Sequence, residues 1–312
     1  MRIAFFTESN ITGRYPRNFS NARTEIAWQI ALEADHYPIN AVPVADKYDL
    51  GIVIIPKKNP DFDINVLKQY CKKVAVMQEG PNWYWQDYDL PKQVWYFNTL
   101  SSADIIFTHN EIDRKYYKGL INHPDVRVMP SLMIEDSIGA LNIEERKGVI
   151  IGGNFVSWYG GFDSFIIAQE LENGTVYAPS MGRKQSGEEE LLTHLPYQNW
   201  KEWIRSLNKF KYGVHLMRTH AAGTFALNCA YLGIPCIGYK GLDTQETLHP
   251  DLTVDVGDLT TARQLAKKLR TDEEFYLYCA EKCKYRYSQH YTETKFLEKF
   301  NNENKFYSTQ SQ

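Results

Sequence analysis

The sequence YGVHLMRTHAAGTFALNCAYLGIPCIGY runs from Tyr212 to Tyr239 and contains one complete strand–helix–strand pattern. Its apolar start, Tyr212–Met217, predicts a buried strand, and the polar and small residues that follow predict a loop. Thr224–Leu232 has the length and composition of an apolar helix, and a Gly-Ile-Pro turn then leads into a second apolar run, Cys236–Tyr239. Such a βαβ unit places its two strands parallel in one sheet.

The same alternation continues on both sides of this stretch. Strand-like runs occur at Met1–Thr7, Leu50–Ile55, Val74–Met77, Ala103–Thr108, Val149–Ile151 and Thr175–Ala178, and helical patterns cover 21–34, 64–72, 162–170 and most of 260–300. Residues 132–147 are irregular and then charged, as in a linker. We therefore predict an α/β fold with two Rossmann-like, doubly wound parallel-sheet domains, 1–145 and 146–312, that face a cleft. Ser20 or Asn21 is the expected N-cap of the first helix.

Composition favours an ordinary globular protein and disfavours several other classes. The 312 residues are 43% hydrophobic and 23% charged, with a net charge of −3 and a pI of about 6.3, so there is no global basic field for nucleic acid. Met1–Phe6 is too short for a signal peptide or a membrane span, and we expect a cytoplasmic protein without a membrane partner. The five cysteines include no CxxC pair, and Cys279 and Cys283 are expected to be buried thiols, not metal ligands. The tail 301–312 is expected to be disordered.

The loop after Val149–Ile151 is the sharpest local signal. It begins Gly152-Gly153-Asn154, and glycine allows both positive φ and a close approach of the backbone to a ligand. The N–H groups of such a loop can bind a phosphate or a sugar. These three residues are therefore candidate donor-binding residues, and the alternative is a tight turn with nothing bound.

A second candidate site precedes the helix Thr224–Leu232. The free N–H groups at a helix start form an anion site suited to a diphosphate. We assign Arg218, His220, Gly223 and Thr224 to this site. Asn228 lies about one turn inside the helix, where its side chain could reach a ribose.

A third candidate follows the strand Val74–Met77. Glu79 lies at the carboxyl end of this strand, where a carboxylate can act as a general base on an acceptor hydroxyl. Trp83 and Trp85, in the aromatic cluster that follows, offer flat faces to an acceptor, or alternatively pack in the core. Arg14 and Arg17 in the first loop are candidates for contacts with acceptor phosphates, or are simply solvated.

The segment 218–235 resembles the donor-binding helix of GT-B glycosyltransferases. That pattern places a Glu before the glycine, another inside the helix, and Gly-x-Pro at its end. His220 and Asn228 occupy the two Glu positions here, so the frame matches while both acids are missing. This departure speaks against a retaining mechanism of the two-Glu type.

Along most of its length the chain also resembles the DNA β-glucosyltransferases of T-even bacteriophages. The likeness comprises Glu79-Gly80-Pro81, the Gly-Gly-x-Phe strand end at 152–155, the basic pair Arg183-Lys184, and the helix that starts at Thr224. It implies that Glu79 takes the place of the family's catalytic Asp and that Arg183, Lys184 or Arg218 contacts the diphosphate. The family carries an Arg where this chain has Phe225 and an acidic ribose ligand where it has Asn228.

These resemblances imply an inverting glycosyltransferase that uses a nucleotide-diphosphate sugar, with UDP-glucose or another UDP-sugar as the first expectation. Magnesium or manganese could assist, although no metal-binding residue is assigned. The implied acceptor is a 5-hydroxymethylated pyrimidine in double-stranded phage DNA, and the implied location is the host cytoplasm. The acidic pI favours instead a glycan, a lipid-linked or a small-molecule acceptor.

Two further classes remain as alternatives. One is a non-catalytic nucleotide-sugar-binding module that has lost the Glu pair. The other, an NAD-dependent oxidoreductase, is disfavoured because the first strand leads into Thr7-Glu8-Ser9-Asn10 and not into Gly-x-Gly-x-x-Gly. The oligomeric state does not follow from the sequence.

Overall fold

The computed structural model describes residues 1–43, 48–57, 62–141 and 145–303, and the chain divides into two compact units. Unit 1 comprises Met1–Phe19, Arg23–Ile134 and the C-terminal segment that starts at Glu293. Unit 2 comprises Ser20–Ala22 and Glu135–Thr292.

Unit 1 is built on a six-stranded parallel sheet. Its strands are β1 (Ile3–Thr7), β2 (Asp35–Pro38), β3 (Tyr48–Val53), β4 (Cys71–Met77), β5 (Ile105–Thr108) and β6 (Val126–Val128), in the order β2-β1-β3-β4-β5-β6. The helices between them are α1 (Thr24–Ala31), α2 (Leu90–Ser102) and α3 (Glu111–Ile121). All five residues of β1 are buried, as expected for a parallel strand covered on both faces.

Unit 2 repeats this architecture. Its strands are β7 (Val149–Ile151), β8 (Val176–Ala178), β9 (Leu192–His194), β10 (Tyr212–His215), β11 (Cys236–Tyr239) and β12 (Thr253–Val254), in the order β12-β11-β10-β7-β8-β9. Its helices are α4 (Glu135–Ile138), α5 (Gly161–Leu171), α6 (Trp200–Leu207), α7 (Thr224–Leu232), α8 (Asp243–Leu248), α9 (Leu259–Thr271) and α10 (Glu273–His290). All pairings within both sheets are parallel. The predicted α/β class with two parallel-sheet domains is confirmed.

The last helix, α11 (Glu293–Glu303), belongs to unit 1, although the sequence assigned 146–312 to one domain and placed the border at 145. Phe296 and Phe300 are fully buried there. The Phe296 ring lies 5.3 Å from that of Trp28, and the Phe300 ring 6.1 Å from that of Phe107. Two buried aromatic rings on one helix face explain why the chain returns to the first sheet.

Two local predictions differ from the structure, the cap of α1 and the helix 64–72. Asn21 does not cap α1: its Oδ1 accepts from the Trp200 N–H at 3.1 Å, so it satisfies the first turn of α6 within unit 2. Arg23 stands at the N-cap of α1, without a side-chain hydrogen bond there. The predicted helix 64–72 is a short 3-10 helix, Ile64–Gln69, because Cys71 already pairs with Tyr48 in the sheet.

Two predicted segments lie partly outside the described residues. The linker 132–147 contains α4, and its residues 142–144 are not described. In the tail 301–312, the first three residues end α11, and 304–312 are not described. Within the described ranges, no helix is both long enough and apolar enough to cross a membrane.

Each sheet has one point where the strand order reverses, and ligands of open α/β sheets bind at the carboxyl ends of the strands there. In the first sheet this point lies between β1 and β3, and in the second between β7 and β10. The loops after β7 and β10 contain Gly152 and Arg218, so the second point coincides with the two predicted donor-binding loops.

Candidate functional site

The loop after β7 is packed tightly against β10. Gly152 N donates to the Val214 carbonyl at 2.8 Å, and a Cβ on Gly152 would collide with the His215 ring. A Cβ on Gly153 would lie 2.6 Å from the Cβ of Tyr159. Neither glycine has a positive φ, so this loop requires glycine for close packing and not for left-handed backbone.

A second glycine pair, which the sequence reasoning missed, lies at the start of α5. Gly160 has a φ of +64°, and a Cβ there would overlap the Leu216 carbonyl after β10. A Cβ on Gly161 would overlap the Asn154 carbonyl after β7. The helix therefore begins in direct contact with both loops at the reversal point. The available signal was a second Gly-Gly eight residues after the first, just before an apolar helical pattern.

The start of α7, where the sequence predicts an anion site, has no side-chain cap in the described part of the chain. Gly223 precedes the helix with a φ of +64°. A Cβ on Gly223 would overlap Thr244 Oγ1, which donates to the Gly223 carbonyl at 3.0 Å. Thr224 is partly exposed, whereas Asn228 is buried on α7 with 4% exposure. The first-turn N–H groups thus remain suited to an anionic ligand.

Arg218 is held beside this helix start by an acid of α5. Its Nη2 lies 2.9 Å from Asp163 Oδ2, and the Tyr239 hydroxyl donates to the same oxygen at 3.0 Å. Burial and the Asp163 charge raise the pKa of Tyr239 to about 12, so it stays a hydrogen-bond donor. Arg218 itself is exposed. His220 is partly exposed in the same loop, and burial lowers its pKa.

The Asn154 side chain is hydrogen-bonded to the backbone of Arg183, the first residue of the basic pair Arg183-Lys184. Asn154 is fully buried, its Nδ2 donates to the Arg183 carbonyl, and its Oδ1 accepts from Val156 N at 3.3 Å. Both ends of the Asn154 amide are thus used within the protein. The Arg183 guanidinium is exposed and lies 5.8 Å from the ring centre of Trp158, and Lys184 forms an ion pair with Glu189.

His215, which sequence reasoning did not select, lies beneath these loops. It ends β10, is 8% exposed, and has its ring 5.3 Å from that of Phe225. Burial lowers its pKa to about 4, so the imidazole is neutral at physiological pH. Its sequence signal, a His within an apolar strand, is too common to indicate a role.

Glu79 lies two residues beyond the end of β4, partly exposed, and it has a carboxylate neighbour that sequence reasoning missed. Glu25 and Thr24, at the start of α1, influence its titration. Burial, followed by the charge and hydrogen bond of Glu25, raises the pKa of Glu79 well above its ordinary value of 4.5, while Lys57 opposes the shift. Thr24 Oγ1 donates to Glu25 Oε2 at 2.5 Å. Sequence reasoning considered Glu79 alone, whereas the charge of Glu25 also acts on it.

The predicted aromatic and basic acceptor residues differ in how deeply they are buried and in their partners. Trp85 is buried and stacks on Tyr96 with centroids 5.5 Å apart and planes 7° apart, whereas Trp83 is partly exposed. Arg14 Nε lies 2.8 Å from Asp35 Oδ1. Arg17 makes two hydrogen bonds to Glu293, of 2.9 and 2.7 Å. Trp85 thus packs in the core of unit 1, and both arginines are tied to acids of the same unit.

The cysteines and metal-binding residue types form no evident metal centre in the described ranges. All five cysteines are buried and free. Among the described residues, no group of three or more His, Cys, Asp and Glu side chains could hold a metal ion.

Comparison with known proteins gives matches only at the level of structure. No family model and no curated protein matches the chain. A variant of TarM from S. aureus, solved with UDP among its ligands, has a TM-score of 0.63 at 9% identity, over 83% of this chain and 55% of TarM. HepE from Anabaena, in complex with UDP and glucose, has a TM-score of 0.67 at 9% identity, over 98% of this chain and 100% of HepE. WaaG, a glycosyltransferase involved in lipopolysaccharide biosynthesis, has a TM-score of 0.61 at 12% identity, over 96% and 99%.

These structures share the GT-B architecture, and the chain has the GT-B fold. It spans about half the length of TarM and essentially all of HepE and WaaG. At such identities the likeness concerns the fold alone, and the chemistry must be argued from the residues of this chain.

Proposed function

We propose that the chain is a glycosyltransferase that moves a sugar from a nucleoside diphosphate to an acceptor hydroxyl. The observation that carries this proposal is the strand reversal of the second sheet. There, the loops after β7 and β10, the start of α5 and the start of α7 converge, and no side chain caps the first turn of α7 in the described residues. Such an arrangement suits a diphosphate.

We assign the donor to unit 2. The first-turn N–H groups of α7, together with Thr224, bind the diphosphate, while the exposed Arg218 and Arg183 offset its charge. Lys184 and His220 flank this site. Gly152, Gly153 and Gly223 keep the backbone within reach, and the buried Asn154 holds the loop of Arg183 in place. Asn228 faces the ribose. HepE and TarM bind UDP according to their descriptions, which favours a UDP-sugar such as UDP-glucose.

We assign the acceptor to unit 1, with Glu79 as the base of an inverting displacement. The acceptor oxygen attacks the anomeric carbon, the bond from that carbon to the diphosphate breaks, and Glu79 takes the acceptor proton. The raised pKa of Glu79 makes it a stronger base than an ordinary carboxylate. Trp83, which is partly exposed, presents its ring to the acceptor. In this reading the enzyme works in the cytoplasm.

For the acceptor we propose a 5-hydroxymethylated pyrimidine in DNA, on the strength of the phage-like pattern. A glycan, lipid-linked or small-molecule acceptor is the second candidate, favoured by the pI of about 6.3 and by the ion pairs that engage Arg14 and Arg17. A third candidate is a binding module without transfer activity, in line with the missing Glu pair at His220 and Asn228.

The test is a transfer assay on the full chain. UDP-, GDP- and ADP-sugars are offered, with and without Mg²⁺ or Mn²⁺, together with hydroxymethylated DNA, unmodified DNA, oligosaccharides and lipid-linked sugars, and products are read by mass spectrometry. A product that forms only on hydroxymethylated DNA, and whose formation falls steeply with salt, supports the first acceptor. A salt-insensitive product on a neutral glycan supports the second. Donor binding without transfer to any acceptor contradicts the enzyme assignment.

A further inference from the structure

Glu188 is a buried carboxylate of unit 2 that the proposed mechanism does not use. It begins the 3-10 helix Glu188–Glu190 between β8 and β9, and it is 2% exposed, whereas Glu189 and Glu190 are exposed. Burial of a carboxylate costs free energy unless the group is hydrogen-bonded and paired with a charge. The partners of Glu188 therefore indicate what this side chain holds together.

These partners come from the ends of three neighbouring strands. Glu188 Oε2 accepts from Gln185 N at 2.9 Å, in the loop after β8, and from Phe155 N at 3.4 Å, in the loop after β7. Glu188 Oε1 lies 2.7 Å from Nε2 of His194, the last residue of β9. Among the described residues, neither Oε1 nor Nε2 has another hydrogen-bond partner. Because β7, β8 and β9 are adjacent in the second sheet, one buried carboxylate joins the carboxyl ends of all three strands.

A second buried side chain holds the same loop. Asn154 is fully buried, and its Nδ2 donates to the Arg183 carbonyl. The Gln185 N–H is joined through Glu188 to the N–H of Phe155, the residue that follows Asn154. The backbone of the loop after β8 is thus tied at two points to the loop after β7. Arg183 itself is exposed, so a fixed backbone carries an accessible cation.

We propose that Glu188 is a positioning residue of the donor site, which fixes the backbone of this loop so that Arg183 meets the diphosphate without further ordering of the chain. This inference rests on the proposed function, since it requires the donor to bind in unit 2. Ordering a flexible loop on binding costs conformational entropy, and a loop that is already fixed avoids that cost. The Glu188 side chain is 0% exposed, so it acts through Arg183 and not by contact with the donor.

The neighbouring charges of the loop do not replace Glu188 in this role. Lys184 forms an ion pair with Glu189, and both residues are exposed. Exposed ion pairs contribute little to stability and are screened by salt, whereas a buried carboxylate is shielded from salt. Of the three consecutive acids 188–190, Glu188 alone is buried. Glu190, exposed in the same 3-10 helix, therefore provides a matched control.

The test is a double-mutant cycle on the full chain, measured by calorimetric titration. UDP, GDP and ADP are titrated into the parent protein, and the nucleotide that binds is used for Glu188→Ala, Arg183→Ala and the double variant. Each single variant is expected to bind about fivefold more weakly. In the Arg183→Ala background, Glu188→Ala should weaken binding by less than about twofold, because its effect passes through Arg183. Losses that multiply in the double variant overturn the inference, since the two residues then act independently.

A conservative variant separates this role from general damage to the fold. Glu188→Gln keeps an acceptor oxygen for the two N–H groups, and we expect it to bind the nucleotide within about twofold of the parent protein, as Glu190→Ala does. No loss in Glu188→Ala, or an equal loss in Glu188→Gln or Glu190→Ala, overturns the inference. If Glu188→Ala does not fold, Glu188→Asp, whose side chain is one methylene shorter, takes its place in the cycle.

Hydrogen exchange of the protein without nucleotide distinguishes failure of this inference from failure of the proposed function. In Glu188→Ala the Gln185 N–H is expected to exchange about tenfold faster than in the parent protein, because its acceptor is lost. An unchanged rate overturns the inference whether or not a nucleotide binds. Faster exchange with unchanged nucleotide binding overturns it too, and leaves the proposed function intact. If the parent protein binds none of the nucleotides, the proposed function fails, and the role of Glu188 in donor binding fails with it.

Discussion

Unit 1 and unit 2 have the same sheet architecture. However, different chemical groups line the edges where their strand order reverses. In unit 2 the reversal is lined by glycines whose backbone touches neighbouring backbone or side chains, and the nearby imidazole of His215 is kept neutral by burial. In unit 1 the corresponding edge carries Glu79, whose pKa is raised by burial and by the charge of Glu25. One edge offers N–H groups, and the other offers a proton acceptor.

In the proposed function, the two edges serve two halves of one reaction. Gly160 and Gly161 are fixed by sterics, because a Cβ on either would overlap the backbone carbonyl of Leu216 or Asn154, and α5 therefore begins directly against the two loops. Taking a proton requires a side chain whose proton affinity is raised, which partial burial and a like charge achieve at Glu79. The two edges should therefore respond to opposite kinds of substitution.

The largest effect is expected from Glu79→Gln. Loss of the base should lower kcat by about 10³-fold, within the usual range for general-base removal, while donor affinity stays within about twofold because the donor is assigned to unit 2. Steady-state kinetics and calorimetric donor titration measure the two quantities, with Glu111→Gln as the control. Full retained activity, or an equal loss of donor affinity, would contradict the assignment of the base to unit 1 and of the donor to unit 2.

The second effect tests the glycine packing of unit 2. In Gly161→Ala the new methyl group overlaps the Asn154 carbonyl, so backbone must move, and we expect a loss of about 3 kcal/mol in unfolding free energy together with lost donor binding. Gly174→Ala is the matched control, since nothing lies within 4 Å of its Cβ position and its φ is not positive. Chemical denaturation of both variants checks the difference. Equal stabilities would mean that the start of α5 is not held against the loops.

A third, smaller effect distinguishes the contribution of the Arg218 charge to donor binding from that of the backbone N–H groups. Arg218→Ala should weaken donor binding about fivefold, because an exposed ion pair contributes at most about 1 kcal/mol. Arg263→Ala is a close control: both arginines are exposed and each pairs with a carboxylate of α5, Asp163 or Glu170. Donor titrations at two salt concentrations compare the donor affinities of the Arg218→Ala and Arg263→Ala variants. A similar loss in both variants would remove Arg218 from the site.

The smallest effect concerns stability at the unit 1 edge. A carboxyl group whose pKa is raised on folding costs nothing below its ordinary value of 4.5, and destabilises the folded state increasingly as the pH rises toward the raised value. Glu79→Gln should therefore raise the melting temperature by about 1–3 °C at pH 8 and leave it unchanged at pH 4. Calorimetric scans at both pH values test this. An identical shift at the two pH values would show that Glu79 ionises freely.

The sequence predicts the fold and half of the site, for physical reasons that particular residues illustrate. Parallel strands buried on both faces are continuous apolar runs, so β1, β4 and β10 are visible, whereas the three-residue β6 and β9 are not. Loops that follow strands can be recognised in the sequence by their glycines and charged residues, and the predictions at Gly152 and Gly223 rest on this signal. Contacts between distant segments leave no local pattern, so the influence of Glu25 on Glu79, the Asn21 cap on α6 and the return of α11 to unit 1 could only come from the structure.

The most direct measurement is a thermal-shift titration of the full chain with UDP, GDP, ADP and CMP, their common sugar conjugates, and NAD. A ligand that binds only the folded state raises the melting temperature with its concentration. We expect a concentration-dependent rise with one nucleotide and its sugar conjugate, and we expect Gly223→Ala to lose this rise at ligand concentrations that saturate the parent protein. No rise with any nucleotide, in the presence or absence of magnesium and manganese, would contradict the assignment of a donor site to the second sheet.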